Sequence, residues 1–457
     1  MTIEKIEVEP VTRVEGQGKV TLNIEGKKIK DVEVNIIEPP KFFEKLLEGK
    51  PAEEAPRITE RICGVCPVAH HLASAKAVEA AWDVEVPQTA IALRRLLLLA
   101  QFINSHALHI GFLSLPDLLR LREKSVFGLS RENPKLLERV LQVHSFGVKL
   151  TEEVGGRSIH PITAIPGGMS KSFDRERRDQ LLKKANQVLE STFELASLML
   201  DLSEKGGKLF EEVESTPTNY MSMHRDGMHE LYDGRICVID SSGNLRQDFD
   251  PSRYFELIEE RPVEHSYVKY PYLKSLGFPQ GTYRVGPLAR VNSTSISAAG
   301  ERDYVKSFFD LFGKPAHHPL AYNMARAAEL VHVAQQAAEL LADDEILKRD
   351  IHAAVKPKEG EGVGIVEAPR GTLIHHYSTD ENGLIRKANL IVATGQNVPS
   401  MEKGLRDLSL KLEDSIINGD RAEATWKIET LIRAYDPCIS CATHLVEIKR
   451  QDRTSRL

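Results

Sequence analysis

Cysteine is scarce. The 457-residue chain holds five: Cys63, Cys66, Cys237, Cys438 and Cys441. An odd, low count in a long chain argues against a disulfide scaffold and for a reducing compartment. Long apolar runs are also missing. The longest, around Leu96–Leu99, is far short of the ~20 residues a membrane span requires. The first ten residues alternate charged and apolar side chains without an apolar core segment, so no secretory signal is expected. A formal net charge of −6 gives no basic excess for nucleic acid. Thirty glycines and 23 prolines without a repeat exclude a collagen-like chain, and no low-complexity linker separates domains. What is present, 41% hydrophobic and 28% charged residues, is the composition of a globular protein.

Periodicity predicts a mostly helical α+β body. Residues 3–37 alternate: Val20, Leu22 and Ile24, then Val32, Val34 and Ile36, read as a hairpin with one buried face. Helices are expected over 66–82, 88–121, 134–152, 176–206, 252–260, 302–312, 318–343 and 403–434. The 88–121 helix is apolar enough to be buried on most sides. The 214–236 stretch reads as loop. A second β patch is expected over 362–393, turning at Asp380 to Gly383. The predicted architecture is a large helical bundle body, residues 1–444, with small β patches packed on it.

Four of the five cysteines form two C-x-x-C pairs, one near each end of the chain. The first lies in Arg61-Ile-Cys63-Gly-Val-Cys66-Pro-Val-Ala-His70. The second lies in Asp436-Pro-Cys438-Ile-Ser-Cys441-Ala-Thr-His444. Pro67 and Pro437 each suit a first helical position, and Asp436 suits the cap before one. Thiols at a helix N-terminus sit in a positive field that favours thiolate, the soft-metal donor. Cys438, Cys441 and His444 would follow one helix face. A zinc ribbon sets its pairs roughly 15–20 residues apart, whereas 371 residues separate Cys66 from Cys438. Neither pair has the βαβ setting of a thioredoxin-like motif. The residues alone leave a buried zinc, an iron–sulfur cluster or a nickel site open.

The flanking residues resemble the two signature motifs of the large subunit of nickel–iron hydrogenases. The resemblance extends over most of the chain. Pro10 to Gly16 (PVTRVEG), Glu44 placed 19 residues before Cys63, His160 to Gly168, and Ala368 to Gly371 (APRG) all look like family segments. It implies four thiolates on nickel, with Cys63 and Cys438 terminal and Cys66 and Cys441 bridging to an iron that carries carbon monoxide and two cyanides. Such a centre keeps roughly two negative charges in a buried site, which fixed donors must offset. Arg370 and Thr394 are the implied donors to cyanide, and Pro369 the wall beside carbon monoxide. Asp436 would pair with Arg370, and His70 would hydrogen-bond a cysteine sulfur. Glu44 and His444 would ligate a structural magnesium.

The implied reaction is reversible heterolysis of dihydrogen, with Cys438 taking the proton and Glu15 relaying it outward. Cys237 stands apart as an ordinary buried thiol, so this chain has no cysteines left for iron–sulfur clusters. Those clusters would belong to a small subunit, with further electron-acceptor subunits beyond it. The resemblance also implies nickel chaperones and an endopeptidase that removes residues 445–457 after His444. Thr394-Gly-Gln-Asn397, where many members carry a large aromatic, and Glu264 to Pro271 look like the cytoplasmic branch. Members of that branch are viologen-reducing, deazaflavin-coenzyme-linked or NAD(P)-linked. Two other readings remain: a fold relative that lost its bimetallic site, as in quinone-reducing respiratory complexes, and a zinc-stabilised scaffold.

Overall fold

A computed structural model describes residues 4–38, 42–296, 299–419 and 421–443. His444 and the 445–457 segment lie outside the described residues. The predicted helix-rich α+β class holds. The N-terminal patch is three strands rather than a hairpin: Glu4–Val8, Gly18–Glu25 and Lys28–Ile36, antiparallel, with Val20 opposite Val34 and Leu22 opposite Val32. Its apolar face is buried, as the alternation requires.

The long helices pack side by side. Gln88–Leu108 lies between Pro134–Gly155 and Ala321–Ala342, and the latter also packs on Arg175–Glu204. Pro116 has no N–H to continue the first of these helices, and a wide π turn, His109–Ser114, precedes the short Leu115–Leu118 helix. Gln88–Leu118 is the one helical stretch among the described residues long and apolar enough to cross a membrane. Yet 78% of its apolar window is buried inside the fold.

The helix that begins at the first cysteine pair, Pro67–Ala81, lies directly on the strand Gly360–Ala368. Three alternating glycines make this possible. A Cβ at Gly360, Gly362 or Gly364 would come within 1.9, 2.2 or 2.0 Å of the carbonyl oxygens of Ala81, Ala77 and Ala73. Alanines on the helix and glycines on the strand bring two backbones together, so the helix start is held rigidly over the sheet. That sheet continues antiparallel through Gly371–Thr379 and Ile385–Ile391.

Four expectations are corrected. The 214–236 stretch is not loop. It contains Asn219–Arg225 and Met228–His229, joined at Asp226 and Gly227, both with positive φ (52° and 78°). These two belong to a five-stranded sheet with Arg235–Ile239, Leu245–Phe249 and Tyr283–Arg284. Asn219–Arg225 is buried on both faces, which removes the alternation that marks a strand. The helix expected over 252–260 stops at Leu257, and Ile258–Pro262 pairs with Lys269–Leu273. The helix expected over 403–434 is three helices, Ala393–Lys411, Glu413–Asn418 and Arg421–Tyr435. Lastly, Asp436 caps no helix. It has φ 56°, and the helix at the second pair is only Ile439–Ala442, with Cys438 before it.

Buried ion pairs bring distant segments together. Asp117, fully buried, accepts from Arg13 Nη2 (2.6 Å), Trp426 Nε1 (2.9 Å) and Arg433 Nε (2.8 Å). It thereby joins the segment carrying Glu15 to the helix that leads into Cys438. Arg290 is a second hub. Its guanidinium meets Glu329 at both carboxylate oxygens (2.5 and 2.6 Å) and Glu367 Oε2 (2.6 Å), and donates to the carbonyls of Ala368 and Pro369 (3.2 and 3.1 Å). His106 and His229, both kept neutral by burial with pKa values lowered to about 4, hold Glu329 from the other side. Arg290→Met is expected to cost about 3–5 kcal/mol, because two buried carboxylates lose their common cation. The denaturant midpoint of the purified variant would check this, and a midpoint unchanged from the parent would refute it.

Candidate metal centre

The two cysteine pairs, distant in sequence, converge. All four Sγ atoms lie within 4.8 Å of one another and all four residues are buried. Cys63 to Cys438 is 3.1 Å, Cys66 to Cys441 is 3.4 Å and Cys438 to Cys441 is 2.8 Å. None forms a disulfide, a bond that would need ~2.05 Å. Each cysteine is placed by backbone. Cys63 follows a 3-10 turn, Glu60–Ile62, in extended conformation, and its sulfur accepts the N–H groups of Val65 and Cys66 (3.2 and 3.3 Å). Cys66 precedes the first turn of Pro67–Ala81. Cys438 pairs with Glu15 in a β-bridge, Ile439 N donating to Glu15 O at 2.9 Å, and its own N–H donates to Thr394 Oγ1 at 2.9 Å.

Four thiols this close cannot all ionise without a cation between them. Burial pushes Cys438 and Cys441 well above the ordinary thiol range. Burial also pushes Cys63 up, but hydrogen bonds from the other three thiols, with the Arg370 charge, outweigh it and hold Cys63 well below. A dry, four-sulfur donor set with one proton easily shed is the chemistry of a soft-metal site.

Arg370 supplies the positive charge above it. Nε donates to the Asp436 carbonyl (2.8 Å) and Nη2 to Asp436 Oδ1 (3.0 Å). Nη1 is buried without a hydrogen-bond partner, as is Asp436 Oδ2. Burial works against the charged guanidinium, but Asp436 and the sulfurs of Cys438, Cys66 and Cys63 outweigh it and raise the pKa. An orphaned cationic donor facing a thiolate cluster fits a site built for a negatively charged metal group.

The other expected residues fall around this cluster to differing degrees. Glu15 Oε2 lies 3.1 Å from Cys438 Sγ. His70 Nε2 lies 3.6 Å from Cys441 Sγ. Pro369 is buried, its carbonyl held by Arg290. Glu44 accepts from Leu390 N (2.9 Å) and faces a cavity of about 780 Å³ that Ile62, Ser440, Cys441 and Thr443 also line. His444, its expected partner, lies outside the described residues. Cys237 is in the Arg235–Ile239 strand, 3.7 Å from Ser222 Oγ, away from the cluster.

Two residues escape the sequence reading. Ser440, between the cysteines of the second pair, donates from both N (3.0 Å) and Oγ to Glu15. Gln101 accepts from Ala69 N (2.8 Å) and donates to Val65 O (3.3 Å), pinning the loop of the first pair. Its signal is visible in retrospect: it is the single amide side chain in the apolar run from Leu96 to Ile103.

Fold and site together define a redox metalloprotein with a buried tetrathiolate centre. The sequence profile of the family described as nickel-dependent hydrogenase matches residues 41–121 and 211–444, and one described as HoxL-like matches residues 5–38. A subunit of the vhu F420-non-reducing hydrogenase of Methanocaldococcus jannaschii is 44% identical over 88% of this chain and 98% of its own length. The beta subunit of the NAD-reducing hydrogenase HoxS of Cupriavidus necator is 36% identical over 96% of this chain and 94% of its own. A crystal structure of an NAD+-reducing [NiFe]-hydrogenase in the H2-reduced state superposes with a TM-score of 0.92 at 35% identity, covering 96% of this chain and 99% of that one. The chain belongs to the nickel-dependent hydrogenase family and is a nickel–iron hydrogenase large subunit, the catalytic one. Its four converged cysteines leave nothing in favour of a fold relative without the metal site.

Proposed function

We propose that Cys63, Cys66, Cys438 and Cys441 hold the nickel, that Cys66 and Cys441 also hold the iron, and that Arg370 and Thr394 donate hydrogen bonds to two cyanides on that iron. The observation that carries this reading is the four-sulfur cluster beneath the orphaned Nη1 of Arg370, with a carboxylate at 3.1 Å from one sulfur. Thr394 Oγ1 accepts from Cys438 N, which leaves its hydrogen to donate. Pro369 presents only C–H groups beside the carbon monoxide. When bound, the bimetallic centre supplies the Lewis acidity and redox capacity for heterolysis of dihydrogen.

The chain's own groups handle the proton. Cys438 Sγ receives it and Glu15 Oε2 takes it on. Ser440 N and Oγ fix the Glu15 carboxylate at that sulfur. Asp436 aims Arg370 by two contacts to one guanidinium edge. Glu44 and His444 ligate magnesium at the cavity that Glu44 shares with Cys441. Electrons leave to a small subunit with iron–sulfur clusters, then to a further acceptor subunit. The names of the relatives suggest this: one is part of an NAD-reducing hydrogenase, another an iron-sulfur subunit of an F420-non-reducing hydrogenase. We place the assembly in the cytoplasm.

Metal analysis of the purified enzyme tests the centre. One nickel and one iron per chain, with infrared bands from bound carbon monoxide and cyanide, is the expected result, and zinc alone would overturn it. We further propose that nickel chaperones load the site and an endopeptidase then cuts after His444. The mass of the large subunit from active enzyme is expected to end at His444. A mass that still includes residues 445–457 would refute the cut.

A further inference from the structure

Behind His70 runs a buried chain of hydrogen-bonding groups that the proton route does not use. His70 Nδ1 lies 3.1 Å from His375 Nε2, His375 Nδ1 lies 2.7 Å from the Tyr377 hydroxyl, and that hydroxyl lies 3.0 Å from Ser74 Oγ. The four side chains interleave two periodicities. His70 and Ser74 are one turn apart on the Pro67–Ala81 helix, and His375 and Tyr377 share one face of the Gly371–Thr379 strand. All are buried, with at most 1% exposure. Burial keeps each neutral: it lowers His70 to about 4, lowers His375 well below the ordinary range, and raises Tyr377 above its own.

A neutral imidazole has one N–H and one bare nitrogen, so it donates on one side only if it accepts on the other. Two imidazoles and two hydroxyls in series therefore share one sense along the whole chain. The far end decides which. A metal-bound thiolate can only accept, so at Cys441 Sγ the chain must present the Nε2–H of His70. His70 Nδ1 is then bare and accepts from His375 Nε2–H, His375 Nδ1 accepts from the Tyr377 hydroxyl, and the Tyr377 oxygen accepts from Ser74.

We propose that His375, Tyr377 and Ser74 are positioning residues that hold His70 as a hydrogen-bond donor to the Cys441 sulfur and so draw electron density from that metal thiolate. This rests on the reading of Cys441 as a metal ligand. A charge-assisted hydrogen bond stabilises the thiolate, and whatever weakens it leaves the metal more electron-rich and harder to reduce. Tyr377→Phe and Ser74→Ala each remove the donor that enforces the tautomer behind them. His375→Leu breaks the chain. His375→Gln restores an N–H donor where Nε2 stands.

The test is a redox titration of the nickel paramagnetic signal in the purified heteromeric enzyme, with nickel per chain measured alongside. Tyr377→Phe and His375→Leu are expected to retain nickel and to move the midpoint negative by at least tenfold in the one-electron equilibrium, about 59 mV. Ser74→Ala should move it the same way by less, and His375→Gln should stay near the parent. Unshifted midpoints in nickel-loaded Tyr377→Phe and His375→Leu overturn the proposal, as does an equal shift in His375→Gln. If those variants do not accumulate, an unshifted Ser74→Ala overturns it alone. A parent enzyme without nickel would instead remove the ligand reading itself, which the metal measurement distinguishes.

Discussion

Cys438→Ser is expected to yield a large subunit with less than a tenth of the parent's nickel and no measurable hydrogen uptake. Three contacts make this sulfur the least replaceable of the four. It lies 3.1 Å from Cys63 Sγ, 2.8 Å from Cys441 Sγ and 3.1 Å from Glu15 Oε2. A serine oxygen is a hard donor that stays protonated at neutral pH, so the site loses both a soft ligand and its proton acceptor. Metal affinity and proton transfer fail together, and the loss of the second alone is worth about 10²–10⁴ in rate. Cys237→Ser is the control. That thiol sits in the five-stranded sheet beside Ser222, and its loss should leave nickel at the parental level. Nickel quantified per purified chain, with dye-linked hydrogen oxidation, checks both. A Cys438→Ser enzyme with full nickel would contradict the assignment.

The same contrast shows what the sequence makes legible and what it does not. The C-x-x-C pairs stand out because thiol spacing is local, yet their meeting across 371 residues is a tertiary fact. Only the resemblance links them beforehand. Asp436 illustrates the limit of local rules. Asp before Pro reads as a helix cap, but here the carboxylate is drawn to Arg370 and the backbone takes φ 56°. Propensity gives way to a buried ion pair. The sheet through Asn219–Arg225 is hidden for the opposite reason, since both faces are covered and no alternation survives. By contrast, the Gly360, Gly362 and Gly364 triplet carries its message openly once its partner helix is known to be alanine-rich. Arg13 and Arg433 show no motif of their own. Only their shared partner Asp117 reveals that they draw Glu15 and Cys438 together.

Glu15→Gln is expected to keep its metals and lose most of its turnover. The carboxylate holds its place through Ser440 N at 3.0 Å and through Ser440 Oγ, and the Glu15 backbone carbonyl separately accepts from Ile439 N at 2.9 Å. An amide of the same shape can retain the contact to Ser440 N, so the second cysteine pair should stay in position and nickel should remain at the parental level. What the amide cannot do is accept a proton at Oε2 and release it again. The group facing Cys438 Sγ then becomes a dead end for the proton. Dye-linked hydrogen oxidation is expected to fall by about 10²–10⁴, the usual weight of a positioned acid–base group. Exchange of deuterium gas with solvent protons should fall in parallel, because both need the same exit. Glu15→Asp should recover part of the loss, since a carboxylate is present but one methylene further from the sulfur. If Glu15→Gln turns over within threefold of the parent while holding its nickel, the proton leaves by another route and the role given to Glu15 is wrong. If it loses nickel instead, Glu15 acts through the fold of the Cys438 segment rather than on the proton, and metal content separates these outcomes.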